Sequence, residues 1–211
     1  MKRILFIHSS LFGDDSASTS IARSLVERML DDHPGSEVTR IDLAELALPH
    51  LDGEEFKSWT TPDGQRDARQ ADLAARSDRL IEQLLAHDTL VLAVPMYNFG
   101  VPSTLKAWID RVARAGKTFS YTSDGPVGLV KDMQAYLVFA RGGIYRNTPQ
   151  DTQTGYLKSV LGLMGIGVAE TIYAEGLNMG DDKREKSLAH ALDRVRTLAT
   201  GNSGVRKLSA A

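Results

Sequence analysis

The stretch Thr89-Leu90-Val91-Leu92-Ala93-Val94, continuing Pro95-Met96-Tyr97-Asn98-Phe99-Gly100-Val101-Pro102-Ser103, carries the pattern that decides the fold. Its first six residues form a continuous apolar run, which reads as a central parallel strand buried on both faces. Pro102 and Ser103 are helix-start residues. Leu105, Trp108, Ile109 and Val112 then recur at helical spacing and supply a core-facing stripe.

Working outward, the same alternation repeats. Arg3-Ile4-Leu5-Phe6-Ile7-His8 reads as a buried first strand, and Ile21, Leu25, Val26 and Met29 mark one face of a helix that His33-Pro34-Gly35 stops. Glu37 to Asp42 alternates, as a strand nearer the sheet edge does. The segment from Glu45 to Asp67 carries Pro49, Gly53, Pro62 and Gly64 and yields no regular assignment. Connections of that length usually serve as lids or interfaces. A helix from about Ala68 to His87 leads into the central strand. After Val112 a loop rich in Gly, Asp and Thr reaches a fourth strand, Ala135 to Ala140. Leu157, Val160, Leu161 and Met164 mark a helix, Val168 to Ala174 a fifth strand, and Asp182 to Leu198 the last helix. Five such alternations predict one α/β domain over residues 1–200, a parallel sheet with helices on both faces. The patternless residues 201–211 read as a mobile tail.

Composition narrows the chemistry. Hydrophobic residues at 42% and charged residues at 25% describe an ordinary globular chain, and a net charge of −2 supplies no field for nucleic acid or an anionic membrane. No run approaches a membrane span, and Ile4 to Ile7 is too short for a signal peptide, so a cytoplasmic location is expected. The chain has no cysteine, which excludes disulfides, thiolate nucleophiles, Cys-ligated zinc and ordinary iron–sulfur clusters. Its five histidines show neither HxxxH nor HxH spacing, so no metal site is expected. A redox role would rest on a bound organic cofactor or a non-thiolate metal.

Ligands of open α/β sheets bind outside the carboxyl ends of the strands, near the point where strand order reverses. The loop after the first strand, Ser9 to Ser20, matches neither GxGxxG nor GxxxxGK[ST]. It offers hydroxyls and free N–H groups at a helix N-terminus, which hold a phosphate monoester without a lysine. One serine would serve as a cap. Ser10, Ser16 and Ser18 exceed that need, and the phosphate reading is favoured. In the loop after the third strand, Met96, Tyr97, Asn98 and Phe99 are placed to line a flat heteroaromatic ring, although ordinary packing suffices for Met96. Ala140-Arg141-Gly142-Gly143-Ile144-Tyr145 brings two glycines that permit close backbone approach to a ligand, or a plain turn.

From Lys2 to about Leu198 the chain resembles the FMN-dependent azoreductases, close to the flavodoxin-like quinone reductases. The resemblance rests on Pro95-Met96-Tyr97-Asn98-Phe99, Arg114-Ala115-Gly116-Lys117-Thr118-Phe119 and Arg141-Gly142-Gly143, with Ser10 and Ser16-Ala17-Ser18 similar to the family's phosphate loop. It implies a flavodoxin-like sheet of order 2-1-3-4-5 and bound FMN. By resemblance Ser10, Ser16, Ala17 and Ser18 meet the phosphate, while Met96, Tyr97, Asn98, Phe99, Ala140, Arg141, Gly142 and Gly143 hold the ribityl chain and ring. Many relatives carry Ser or Thr where Ala140 stands. Phe99, Tyr121 and Tyr145 are expected in the substrate pocket. The implied reaction is ping-pong transfer of electron pairs from NADH, or NADPH, to a quinone or azo compound, with no catalytic side chain. A homodimer is implied too, one subunit covering the other's flavin. The exposed aromatics expected around Phe56, Trp59 and Tyr121 support it. The rival reading is a flavodoxin-like electron carrier without a substrate of its own. Such carriers are typically shorter and strongly acidic, and this chain is near neutral.

Overall fold

All five strands read from the sequence form in the computed structural model, which describes residues 1–198. The expected tail at 201–211 lies outside the described residues. The elements run β1 (Arg3–His8), α1 (Ala17–Asp32), β2 (Glu37–Asp42), α2 (Leu43–Leu46), α3 (Gly53–Thr60), α4 (Ala68–Leu85), β3 (Thr89–Pro95), α5 (Ser103–Val112), β4 (Phe119–Thr122), β5 (Gly125–Gly128), β6 (Gln134–Ala140), α6 (Thr152–Met164), β7 (Gly167–Ala174) and α7 (Asp181–Thr197).

The main sheet is parallel, with order β2-β1-β3-β6-β7. The expected numbering 2-1-3-4-5 is corrected because the loop after α5 contains an antiparallel hairpin, β4 with β5, that takes two places in the chain count. The hairpin packs against the end of α6. A Cβ at Gly128 would sit 2.2 Å from the Gly165 amide nitrogen, and Gly165 ends α6 at φ +90°, where glycine is unstrained.

Every residue of β3 is buried. Successive strand side chains point to opposite faces, so one continuous apolar run fills two cores. Leu5, Ile7, Leu90, Leu92, Val94, Leu137 and Phe139 meet residues of α4, α5 and α6, while Ile4, Phe6, Val91, Ala93 and Val138 meet α1 and α7. Residues 45–67, unassigned from the sequence, hold the end of α2, the whole of α3 and a single 3-10 turn at Asp63–Gln65. Asp42 caps α2 and Asp52 caps α3, each accepting a bond from a first-turn amide. The α3 helix is tied inward by Glu55, whose carboxylate receives Arg111 Nε at 2.8 Å and Nη2 at 2.6 Å in full burial. Such a fork-to-fork ion pair keeps both charges satisfied away from water.

Candidate functional site

The carboxyl ends of β1, β3, β6 and β7 meet on one edge of the sheet, and the site is built there. The α1 helix starts at Ser16, which has extended backbone geometry, but its side chain does not cap the helix. Its hydroxyl lies 3.0 Å from that of Ser18 instead. Among the described residues the amides of Ala17, Ser18 and Thr19 have no partner, and the buried Thr19 hydroxyl has none either. No carboxylate stands in this first turn. A helix N-terminus with free N–H groups and spare hydroxyls is suited to an anion. Ser10, Ser16 and Ser18 are all buried around it. The Ser10 hydroxyl accepts from the Phe12 amide at 3.2 Å and lies 3.3 Å from the Tyr97 hydroxyl, which also accepts from the Leu11 amide. Tyr97 thereby joins the first loop to the second.

The loop itself carries Asp14 and Asp15 ahead of Ser16, and Asp14 is paired with Arg23 at 2.6 Å and with Arg40. Arg40 in turn donates to His8 Nε2 at 3.0 Å. Burial holds the His8 imidazole below its usual pKa, more strongly than the nearby Asp42 raises it, so the ring accepts as a neutral base.

Beyond β3, Tyr97 and Gly100 exchange both backbone bonds, at 3.2 and 2.9 Å, around Asn98 at φ +48° and Phe99 at φ +64°. Two consecutive left-handed residues between a paired first and fourth make a type I′ turn. Asparagine tolerates that region, but phenylalanine does so only where surroundings enforce it. Phe99 is half exposed and meets the edge of Tyr145 at 5.3 Å.

The third loop departs from expectation at Arg141. Its guanidinium turns inward, fully buried, donating to Gln153 Oε1 at 3.1 Å, Glu175 at 3.1 Å, Asp151 at 2.7 Å and Thr154 at 3.2 Å. It also stacks on Phe139 and Tyr173. The resemblance placed Arg141 at the cofactor, but its side chain faces structural partners. Ala140 is buried, and its carbonyl accepts the Met96 amide at 3.1 Å. What approaches the two glycines is protein. A Cβ at Gly142 would meet the Asn178 amide at 2.6 Å, and one at Gly143 the Tyr145 ring at 2.5 Å.

The second and third loops bound an open cleft of about 740 Å³, and the first loop contributes no wall to it. Met96, Asn98, Phe99, Gly142, Gly143 and Tyr145 line it, as the sequence suggested, and Ile144, Asn178 and Met179 join them. The last two come from the turn after β7, whose amides at Gly176, Leu177 and Asn178 bond back to the carbonyls of Gly143, Arg141 and Gly142. The signal available was Gly176-Leu177-Asn178-Met179-Gly180 at the carboxyl end of a strand. Tyr121 is not a wall of this cleft. It stands on the hairpin, largely exposed, edge-on to Phe119 at 5.5 Å.

The fold as a whole has known counterparts. The model of the flavodoxin-like fold family matches residues 2–199. An FMN-dependent NADH:quinone oxidoreductase of Alteromonas mediterranea is 46% identical over 201 residues, which is 95% of this chain and 100% of that protein. A second, FMN-dependent NADH:quinone oxidoreductase 2 of Pseudomonas fluorescens, is 48% identical over 90% of this chain and 96% of its own. Among solved structures, an azoreductase from Bacillus anthracis superposes with a TM-score of 0.84 at 29% identity, covering 92% of this chain and 97% of its own. On the extent and identity of these matches, the chain belongs to the flavodoxin-like fold family, in the branch of the FMN-dependent NADH:quinone oxidoreductases.

Proposed function

We propose that the chain binds FMN and transfers electron pairs from NADH to quinones and azo compounds. The observation that carries the reading is the α1 N-terminus, where three unpartnered amides, the orphan Thr19 hydroxyl and the Ser16–Ser18 pair stand behind a first loop that Tyr97 ties to the loop lining the cleft. That donor set is neutral, hydroxyl-rich and free of carboxylate, and it suits a terminal phosphate monoester. Ser10, Ser16, Ala17 and Ser18 would hold the phosphate. Met96 to Phe99, Gly142 and Gly143 would hold the ribityl chain and ring. A bound flavin supplies two-electron chemistry between nicotinamide and acceptor.

The chain's own task is to orient and to exclude water. Fixed N–H groups at the cleft are suited to a ring that gains negative charge on reduction. The two substrates follow one another in a ping-pong cycle, for which an open cleft has room. No side-chain nucleophile is required. The chain also works as a homodimer in the cytoplasm, where NADH is held. The exposed Phe99 and Ile144 of the cleft support a covering partner subunit, and the exposed Leu11, Phe12, Phe56 and Tyr121 add apolar surface. Tyr121 is then offered to the partner's cleft.

Purified protein should carry a flavin absorbance spectrum, release FMN by mass spectrometry, and oxidise NADH with benzoquinone in steady state. FAD in its place, or no flavin after reconstitution, overturns the cofactor assignment. Negligible turnover with flavin bound leaves the electron carrier as the better reading.

A further inference from the structure

The type I′ turn at Tyr97–Gly100 places Phe99 at φ +64°, a left-handed backbone region that strains a bulky residue. Something outside the turn must hold it there. The first turn of α6 does so. Gln153 Nε2 donates to the Pro95 carbonyl at 2.9 Å and to the Gly100 carbonyl at 3.0 Å, and the Thr152 hydroxyl donates to the Phe99 carbonyl. Gln153 is fully buried, and its amide orientation is determined by its other end, because Oε1 accepts from Arg141 Nε and a guanidinium can only donate. Both Nε2 hydrogens are therefore directed at the turn. Arg141 is itself immobilised by Asp151 and Glu175, so the clamp is anchored to the sheet.

We propose that Thr152 and Gln153 are positioning residues for the cleft. They grip three carbonyls of the Pro95–Gly100 segment and keep the amides of Asn98 and Phe99, which bond to no other described residue, in one arrangement. The inference rests on the proposed FMN site, since those amides lie in the loop assigned to the flavin. Arg141 acts through Gln153, at one remove from the ligand.

Three substitutions test it. Thr152→Val removes the hydroxyl from an exposed position and leaves the core alone. Thr152→Ser restores it. Gln153→Glu keeps the size and the acceptor for Arg141 but, as a carboxylate, donates to neither carbonyl. In protein stripped of flavin, amide exchange over residues 96–100 should accelerate about tenfold in Thr152→Val, the equivalent of one hydrogen bond, and more in Gln153→Glu. With FMN added, the dissociation constant should rise by similar factors and the visible flavin band should shift, while Thr152→Ser stays within about twofold of wild type. Unchanged exchange in both Thr152→Val and Gln153→Glu, or a Thr152→Ser protein as impaired as the valine variant, overturns the clamp. Wild-type protein that fails to bind FMN refutes the proposed function instead, and the exchange measurement still decides the clamp. Should Gln153→Glu not fold, Thr152→Val and Thr152→Ser carry the test.

Discussion

Replacing Arg141 with methionine separates a structural arginine from a ligand-binding one. Methionine approximates the length of the arginine stem and can still pack over the stacked rings of Phe139 and Tyr173. Its loss of donors is felt unequally by the four partners. Asp151 retains the Thr154 amide and hydroxyl, and Glu175 retains the amides of Tyr145 and Arg146. Gln153 Oε1 has no other donor. Two carboxylates also lose their shared counter-charge near the core. Breaking a buried pair costs about 3–5 kcal/mol, and because both acids keep other bonds, about 3 kcal/mol is expected here. For a domain of this size that is a fall in Tm of roughly 6–12 °C. Arg141→Lys should recover part of it, since an ammonium keeps the charge but lacks the planar fork that reaches four partners. Urea unfolding of the three proteins measures the loss, with FMN titration alongside. A methionine variant within about 1 kcal/mol of wild type, yet with FMN or NADH binding abolished, would falsify the argument and return Arg141 to the cofactor site.

Four further outcomes follow from the geometry. Alanine at both Ser16 and Ser18 should weaken FMN by about 1 kcal/mol per lost hydrogen bond, roughly tenfold or more, with partial retention through the backbone amides; an unchanged dissociation constant would make these serines helix-start residues only. The pKa of Asp151 is lowered: burial pushes it up, but bonds from Arg141 and Thr154 outweigh that, so its contribution to stability is whole above its unfolded pKa near about 4 and is lost as pH falls through the lower folded value. His8, depressed by burial, loses its contribution in the same direction, beginning below about pH 6.5, and a pH series of unfolding midpoints with Asp151→Asn and His8→Asn should flatten in those two windows. NADH should serve at least as well as NADPH, because Arg141 is sequestered and Arg146 stacks on Tyr173; a kcat/KM preference for NADPH above about tenfold would reveal an unseen phosphate site. Light scattering at micromolar concentration should give the dimer mass, and a fully active monomer would remove the partner subunit from the site.

The strands, their parallel arrangement and most of the candidate site loops were legible in the sequence, since burial on both faces writes an unbroken apolar run such as Leu90 to Val94, and Ser16 and Ser18 stand out as hydroxyls beyond what a helix start needs. Local chemistry also marked Met96 to Phe99 and Gly142–Gly143, because aromatics and glycines at a strand end have few local uses. The hairpin β4–β5 escaped because four-residue strands leave too little periodicity to read. The helices α2 and α3 escaped for a different reason, as their order comes from caps and from the Glu55–Arg111 pair, partners 56 residues apart. Only the tertiary structure could assign Arg141. In sequence it stands in a loop beside two glycines, where an arginine serves a ligand or an ion pair equally well. Its direction is decided by Asp151, Gln153 and Glu175, which come from α6 and the end of β7 and meet it only when β6 and β7 pair. Identity and spacing set what each residue can do; which partners satisfy a buried charge is a property of packing, and packing is absent from any local stretch of chain.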